Sequence, residues 1–277
     1  MINFNQHNNT ILPAKPFKLG TTSFIFPDFI VPNVKKLGRF FDEIELLVFE
    51  SHPKEVLPTK DDIKELLYLS HEHNLTYNIH LPIDVSLFSE SKKKRLKASD
   101  TILQVMELFA SLTPSTFTLH LDMPQDIKND IQNQEKMKRW QYNIRQSLDS
   151  IISRIANPEI ISIETLDYPF SFVEFFIEEF SMSVCIDAGH QIKFGYNLLE
   201  TFDKHKLRTP VIHLHGVDFS GQHIKDHTSL DKLPKQYVSQ IQTMLCDYTG
   251  VVSLEVFNLE NLNKSLIFLS KIFCKKI

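Results

Sequence analysis

The chain has 277 residues, 42 % of them hydrophobic and 22 of them phenylalanine, enough to fill one large core without covalent staples. Thirty basic against 34 acidic residues leave a net charge of -4, which counts against a nucleic-acid partner gripped through its phosphates and favours a small-molecule substrate. Seven glycines argue against a glycine-rich phosphate loop, and Cys185, Cys246 and Cys274, an odd number without a CxxC pair, fit neither a disulfide framework nor a zinc knuckle but suit a reducing cytoplasm.

The N-terminal stretch MINFNQHNNTILPAKPFK lacks the apolar core of a secretory signal, and no later segment reaches the roughly 18 uncharged apolar residues of a membrane span. The expectation is a cytoplasmic protein with no membrane partner, residues 1–17 forming a loose leader and residues 18–277 a single domain. The sequence is silent on self-association.

Along the chain, strands are predicted at Leu19–Ile25 and Glu43–Val48, followed by a helix at Lys60–His73 (KDDIKELLYLSHEH) whose apolar residues recur at i, i+3, i+4 and i+7. A strand at Thr76–His80 leads to the basic run Lys92, Lys93, Lys94, Arg95 and Lys97, read as the solvated start of the helical pattern Ala98–Ser111 (ASDTILQVMELFAS). After a strand at Thr116–His120, the polar stretch Met123–Gln134 (MPQDIKNDIQNQ) reads as a surface loop. In the helical pattern RWQYNIRQSLDSII that follows, Trp140 and Tyr142 are expected to be buried. Strands at Ile160–Glu164, Ser183–Asp187, Val211–His215 and Val251–Val256 complete the series.

Eight alternations of strand and helix predict a (β/α)8 TIM barrel, since parallel strands need helical crossovers and eight of them close the sheet. A doubly wound sheet is the competing architecture, but the turn after the first strand, PDFIVPN, has no GxGxxG.

Reactive residues of such barrels gather where the strands end. Here the ends carry His80, His120, Glu164, Asp187 with His190, His213 and His215, Asp226 with His227, and Glu255. A single histidine at a strand end is ordinarily just hydrogen-bonded. Glu164 and Glu255, however, close apolar runs, where a carboxylate must be paired or metal-bound to offset its desolvation, and no Arg or Lys accompanies them in the strand patterns. The joint arrangement favours metal.

Asp187 and His190 are three apart, within reach of a common cation. His213 and His215 share a strand face, although only one of them need bind metal. His, Asp and Glu without Cys suit zinc, manganese or iron(II), in a set large enough for more than one ion. Cys185 reads as a packing residue, no GxSxG elbow supports covalent acyl chemistry, and Asp167 and Tyr168 in the loop after Glu164 are candidate substrate contacts.

The order His, His, Glu, Asp-x-x-His, His, Asp/His, Glu on successive strands resembles the apurinic/apyrimidinic endonuclease IV and xylose-isomerase-like superfamily (AP endonuclease family 2-like), over Leu19 to Phe257. The resemblance implies that His80, His120 and Glu164 hold one metal and that Glu164 bridges to a second held by Asp187, His213 and Glu255. His190 with Asp226 and His227 would be the place for a third, although the endonucleases have Asp-x-His where this chain has adjacent Asp226 and His227. Basic, DNA-penetrating loops are not evident.

The stretches LGTTSFIFPD, IELLVFES, HLPID, ETLDYPF, CIDAGH, HLHGVD, DHTSLDKLP and GVVSLEVFNLE resemble more narrowly the cobamide-remodelling phosphodiesterases of the CbiR family. That resemblance implies hydrolysis within the nucleotide loop of a cobamide, a vitamin B12-type corrinoid, so that its lower ligand can be exchanged. Two or three divalent ions would serve, zinc first and manganese or iron as alternatives. Catalysis would fall to Glu164 as the bridge, with His215 and His227 protonating the leaving group or orienting the phosphate. The alternative is a sugar isomerase or epimerase with one metal on Glu164, Asp187, His213 and Glu255; an apurinic/apyrimidinic endonuclease is less favoured.

Overall fold

A computed structural model describes residues 15–51 and 57–273. The strands are β1 (Lys18–Thr22), β2 (Glu43–Leu47), β3 (Thr76–His80), β4 (Phe117–Leu119), β5 (Ile161–Glu164), β6 (Ser183–Asp187), β7 (Val211–Leu214), β8 (Gly216–Asp218), β9 (Lys225–Thr228) and β10 (Val251–Leu254). The α-helices are α1 (Ile30–Leu37), α2 (Lys60–His73), α3 (Lys92–Phe109), α4 (Gln125–Lys128), α5 (Gln134–Ile152), α6 (Phe175–Phe180), α7 (Ala188–Lys193), α8 (Leu198–His205), α9 (Lys235–Cys246) and α10 (Leu259–Phe273).

Eight of the strands pair in parallel in the closed order β1-β10-β7-β6-β5-β4-β3-β2, the predicted (β/α)8 barrel. The register shows how the chain divides its chemistry. Leu46 aligns with Ile79, Ile163 with Val184, Ile186 with Ile212, and Leu214 with Leu254, so one face of the sheet is a band of aliphatic side chains against the helices. All belong to one continuous buried apolar cluster. The alternate residues point into the barrel, because side chains along a strand alternate with period two. There Glu45 aligns with Asn78, Thr118 with Ser162, Glu164 with Cys185, and His213 with Ser253. Among the described residues, Cys185, Val211 and Val251 form a small apolar cluster there, separate from the main core.

The polar interior is wired by hydrogen bonds. Glu43, at the end of the barrel where the strands begin, accepts from Thr76 Oγ1 (2.6 Å), Asn78 Nδ2 (2.9 Å) and Ser115 Oγ (2.7 Å). Helix starts obey local chemistry: Thr59 and Asp62 form a capping box on α2, while Ser91, Asn133 and Asn197 cap α3, α5 and α8. Among the described residues, no helix is long and apolar enough to cross a membrane.

Several expectations are corrected. Phe17, assigned to the leader, is 3 % exposed and packs edge-on against Phe273, because a ring next to β1 gains more from the core than from water; residues 1–14 and Cys274 lie outside the described residues. Tyr142 is 58 % exposed while Trp140 is buried, since two positions on a helix differ by about 200° of rotation. The polar stretch 123–134 contains the short helix α4, and Arg95 of the basic run folds in to donate to the carbonyls of Ser89 (2.7 Å) and Glu90 (3.2 Å). β8 and β9 pair antiparallel as an unforeseen hairpin. The four residues of β9, KDHT, carry no hydrophobic alternation that would announce a strand.

Candidate metal centre

At the strand C-terminal ends the inward parity delivers its most polar residues. Glu164 is 1 % exposed and its two oxygens face different neighbours. Oε2 lies 2.9 Å from His120 Nε2 and 3.3 Å from His80 Nε2, while Oε1 lies 3.5 Å from His213 Nδ1 and 3.7 Å from His190 Nδ1. Leaving aside Glu164 with Cys185 and His213, which includes a thiol that burial keeps protonated, two groups of ligand atoms meet at this carboxylate: His80, His120 and Glu164, and Glu164, Asp187, His213 and Glu255. His190, His215 and His227 form a third.

Local structure sets each donor. His80 spends Nδ1 on the carbonyl of Leu81 at 3.0 Å, which turns Nε2 toward Glu164. Asp187 ends β6 and caps α7, accepting from the His190 backbone N–H at 2.7 Å; the spacing of three that suggested a shared cation is thus also an N-cap. Gly189 stands between them because the His215 ring lies where a side chain would begin: a Cβ there would come within 2.0 Å of the imidazole. His215 Nδ1 accepts from the backbone N–H of His227 at 3.0 Å, while its Nε2 lies 3.2 Å from Asp187 Oδ1. To supply that N–H, His227 takes a left-handed backbone with φ of 49°, a strain that persists only where the surroundings enforce it.

The electrostatics are those of buried acids and imidazoles packed together. Burial by itself would raise the Glu164 and Asp187 carboxyls, but the neighbouring imidazoles, His120 and His213 for Glu164 and His190 and His215 for Asp187, hold both below the carboxylate range. Burial would lower the histidines, yet Glu164 with Asp122 pushes His120 up to about 10, and Asp187 pushes His215 up to about 9. Cys185, on the barrel side of His213, is pushed up to about 12 by burial, which suits a packing thiol rather than a thiolate.

Whether this donor set fits metal is tested by what it leaves unsatisfied. Asp187 Oδ2, His213 Nδ1, His215 Nε2 and Glu255 Oε2 are buried without a hydrogen bond of adequate geometry. Orphaned buried polar atoms are rare because each loses its water for nothing; these four belong to the ligand groups, and Glu45 Oε1 and His213 Nε2 beside them also lack a well-aligned bond. Hard and borderline donors of this kind fit divalent cations.

The sequence-predicted residues divide as follows. His80, His120, Glu164, Asp187, His190, His213, His215, His227 and Glu255 all enter the three groups. Asp226 does not: its Oδ2 accepts from Lys193 Nζ at 2.5 Å, a cation from a helix that strand patterns could not reveal, and His215 occupies the place given to it. That ion pair outweighs burial and holds Asp226 below its ordinary range. Asp167 is paired with Lys128. Tyr168 is 2 % exposed, packs edge-on against Trp140 and donates to the Leu121 carbonyl at 2.5 Å, so it props the loop instead of facing a substrate.

One residue went unnamed. Glu45, fully buried, places Oε1 2.9 Å from His213 Nε2 and accepts from Ser253 Oγ at 2.6 Å. It faces the ring nitrogen that the ligand group does not use, the position from which a carboxylate orients a metal-bound histidine. The signal was in EIELL, where acids two apart on a strand share the inward face.

The chain is similar to proteins of known family and fold. A curated relative, the probable endonuclease 4 of Aster yellows witches'-broom phytoplasma (strain AYWB), is 27 % identical over 178 residues, 57 % of this chain and 58 % of that protein, so the match spans less than two thirds of the relative. A D-tagatose 3-epimerase-like protein superposes with a TM-score of 0.72 at 16 % identity, covering 92 % of this chain and 97 % of the other. Endonuclease IV from Thermus thermophilus superposes with a TM-score of 0.63 at 13 % identity, covering 94 % and 100 %. At such identities these structures show the fold alone. The model of the xylose isomerase-like TIM barrel family matches residues 31–272, and the chain belongs to that family.

Proposed function

We propose that this protein is a metal-dependent phosphodiesterase that opens the nucleotide-loop phosphodiester of a cobamide, allowing the lower ligand to be exchanged. The observation that carries the chemistry is the division of Glu164, whose two oxygens serve two adjoining ligand groups with a third group beside them. An isomerase working through one ion has no use for so many donors. When bound, adjoining divalent cations supply Lewis acidity, lowering the pKa of a water nucleophile and stabilising the departing alkoxide.

The chain's own groups do the rest. Glu164, Asp187, His213 and Glu255 would hold one cation, and His80 and His120 would share Glu164 around its neighbour. Glu45 Oε1, 2.9 Å from His213 Nε2, would orient that ring. His215, whose Nε2 lies 3.2 Å from Asp187 Oδ1, would orient the phosphate or protonate the leaving oxygen. The substrate class is supported by the motifs TTSFI, ETLDYPF and HLHGVD.

The test is digestion of a cobamide by zinc- or manganese-loaded protein, followed by mass spectrometry. A corrinoid lacking its nucleoside base is expected; an unchanged cobamide after long incubation would overturn the proposal. The four-donor group of Glu164, Asp187, His213 and Glu255 is also sufficient for a one-metal sugar isomerase or epimerase, a reading that the same fold accommodates. One ion per chain, together with solvent deuterium entering a ketose, would establish that alternative instead.

A further inference from the structure

Beside the ligand groups, at the same end of the barrel, described residues that follow β1, the end of β2 and the start of α2 line a cavity of about 680 Å³. Small-molecule sites commonly measure about 300–1,000 Å³. The cavity walls include Phe24, Phe29, Val31, Leu47, Phe49 and Leu57, and no lysine or arginine is among the described lining residues. Two of its acids are already engaged: Asp28 accepts from Lys36 at 3.2 Å, and Asp62 accepts from the Thr59 backbone N–H at 2.8 Å. These walls offer an anion no cationic partner. Phe24 and Phe29 nevertheless stand 46 % and 75 % exposed, leaving aromatic surface open to stack against a flat ring.

The cavity is joined to the ligand groups by aromatic contact. Phe24, Phe49 and Phe257 meet edge to face at centroid distances of 5.9–6.2 Å, and Phe49 lies 6.0 Å from the His80 ring while Phe257 lies 4.8 Å from that of His227. These phenylalanines sit two residues beyond Thr22, Leu47 and Glu255, so the inward parity of β1, β2 and β10 carries on into an apolar half of the mouth. Phosphate chemistry and apolar shelter therefore adjoin, separated by about one ring. A nucleotide has this layout: an anionic ester linked through one ribose to an uncharged aromatic base.

We infer that this cavity is the subsite for an uncharged aromatic heterocyclic base, of the benzimidazole or purine type, held on Phe24 and Phe29 while the ester faces the ligand groups. The inference rests on the proposed nucleotide-loop substrate. It assigns the cavity to the base because the lining is predominantly apolar and carries Phe24, Phe29 and Phe49.

The test uses the full chain and free benzimidazole as probe, with binding followed by titration calorimetry on the native protein and on Phe29→Ala, whose exposed ring can be truncated without opening the core. Saturable binding is expected, weakened about tenfold or more in Phe29→Ala and in Phe24→Ala, the loss typical of removing a stacking platform. No saturation at millimolar benzimidazole, or equal affinity in native protein and both variants, would overturn the inference. Hydrolysis of a small chromogenic phosphodiester by the native metal-loaded protein separates the two readings. Turnover without base binding removes the subsite alone, and base binding without turnover leaves the subsite standing while the phosphodiesterase falls.

Discussion

Along β5, Ile161 and Ile163 face the helices while Ser162 and Glu164 face the barrel axis, and the same division runs through β6 with Val184 and Ile186 against Cys185 and Asp187. Both faces are buried; the outer one is apolar throughout, while the inner one is polar apart from the small cluster of Cys185, Val211 and Val251. The outer face supplies the hydrophobic stabilisation that holds the cylinder closed. The inner face gives up that contribution and keeps acids, imidazoles and hydroxyls out of water, where each must find a partner or remain orphaned. A mutation on one face should therefore disturb stability, and on the other the ligand groups, with little exchange between the two.

The largest effect should come from Glu164→Gln, which removes the shared carboxylate. Turnover of the metal-loaded protein should fall to background with the fold intact by circular dichroism, and elemental analysis should show less metal per chain; full activity would remove the bridging role. On the outer face, Ile212→Ala should cost about 2–5 kcal/mol, as deletion of a fully buried aliphatic side chain does, read as a lower melting temperature with metal content per folded chain unchanged. If metal content fell as well, the two faces would not be independent.

Glu45→Gln should weaken metal binding about 10- to 100-fold in a chelator competition, because the carboxylate that orients His213 is lost while the strand pairing remains. Protons should compete with metal at His120 and His215, whose pKa values stand near 10 and 9. Affinity should rise between pH 6 and pH 9 by about tenfold per pH unit for each imidazole proton displaced, with proton release visible by calorimetry in two buffers. In the metal-free protein the sign reverses. Both histidines are raised above their unfolded value of about 6.5, so their ion pairs stabilise fully below that pH and are lost as pH climbs through about 9 to 10, lowering the melting temperature there. The smallest effect should be that of Tyr142→Ser on the exposed face of α5, within about 0.5 kcal/mol.

How far the site could be read from the chain depended on whether a signal lay within one element. His80, His120, Glu164, Asp187, His213 and Glu255 lie at or near the end of an apolar run, and for Glu164 and Glu255 the desolvation argument needs nothing but that run. The contacts of Asp226 and Tyr168 were not legible, because their partners, Lys193, Leu121 and Trp140, come from elsewhere in the chain. His215 could be placed on a strand face but not assigned to a group, since the third group forms only when α7 and the β8–β9 hairpin bring His190 and His227 to it.

The sequence by itself determined the alternation of strand and helix, the count of eight barrel strands, the strand ends at which acids and imidazoles appear, and the absence of a nucleotide-binding glycine turn. These are properties of periodicity and of local burial cost, and each is complete within a window of ten or twenty residues. Only the tertiary structure decided that Glu164 divides its oxygens between two groups, that Glu45 stands behind His213, and that an apolar cavity opens beside them. Those facts concern distances between strands far apart in the chain, fixed by how the barrel closes and staggers, and a one-residue slip in that register would turn every one of these side chains to the other face.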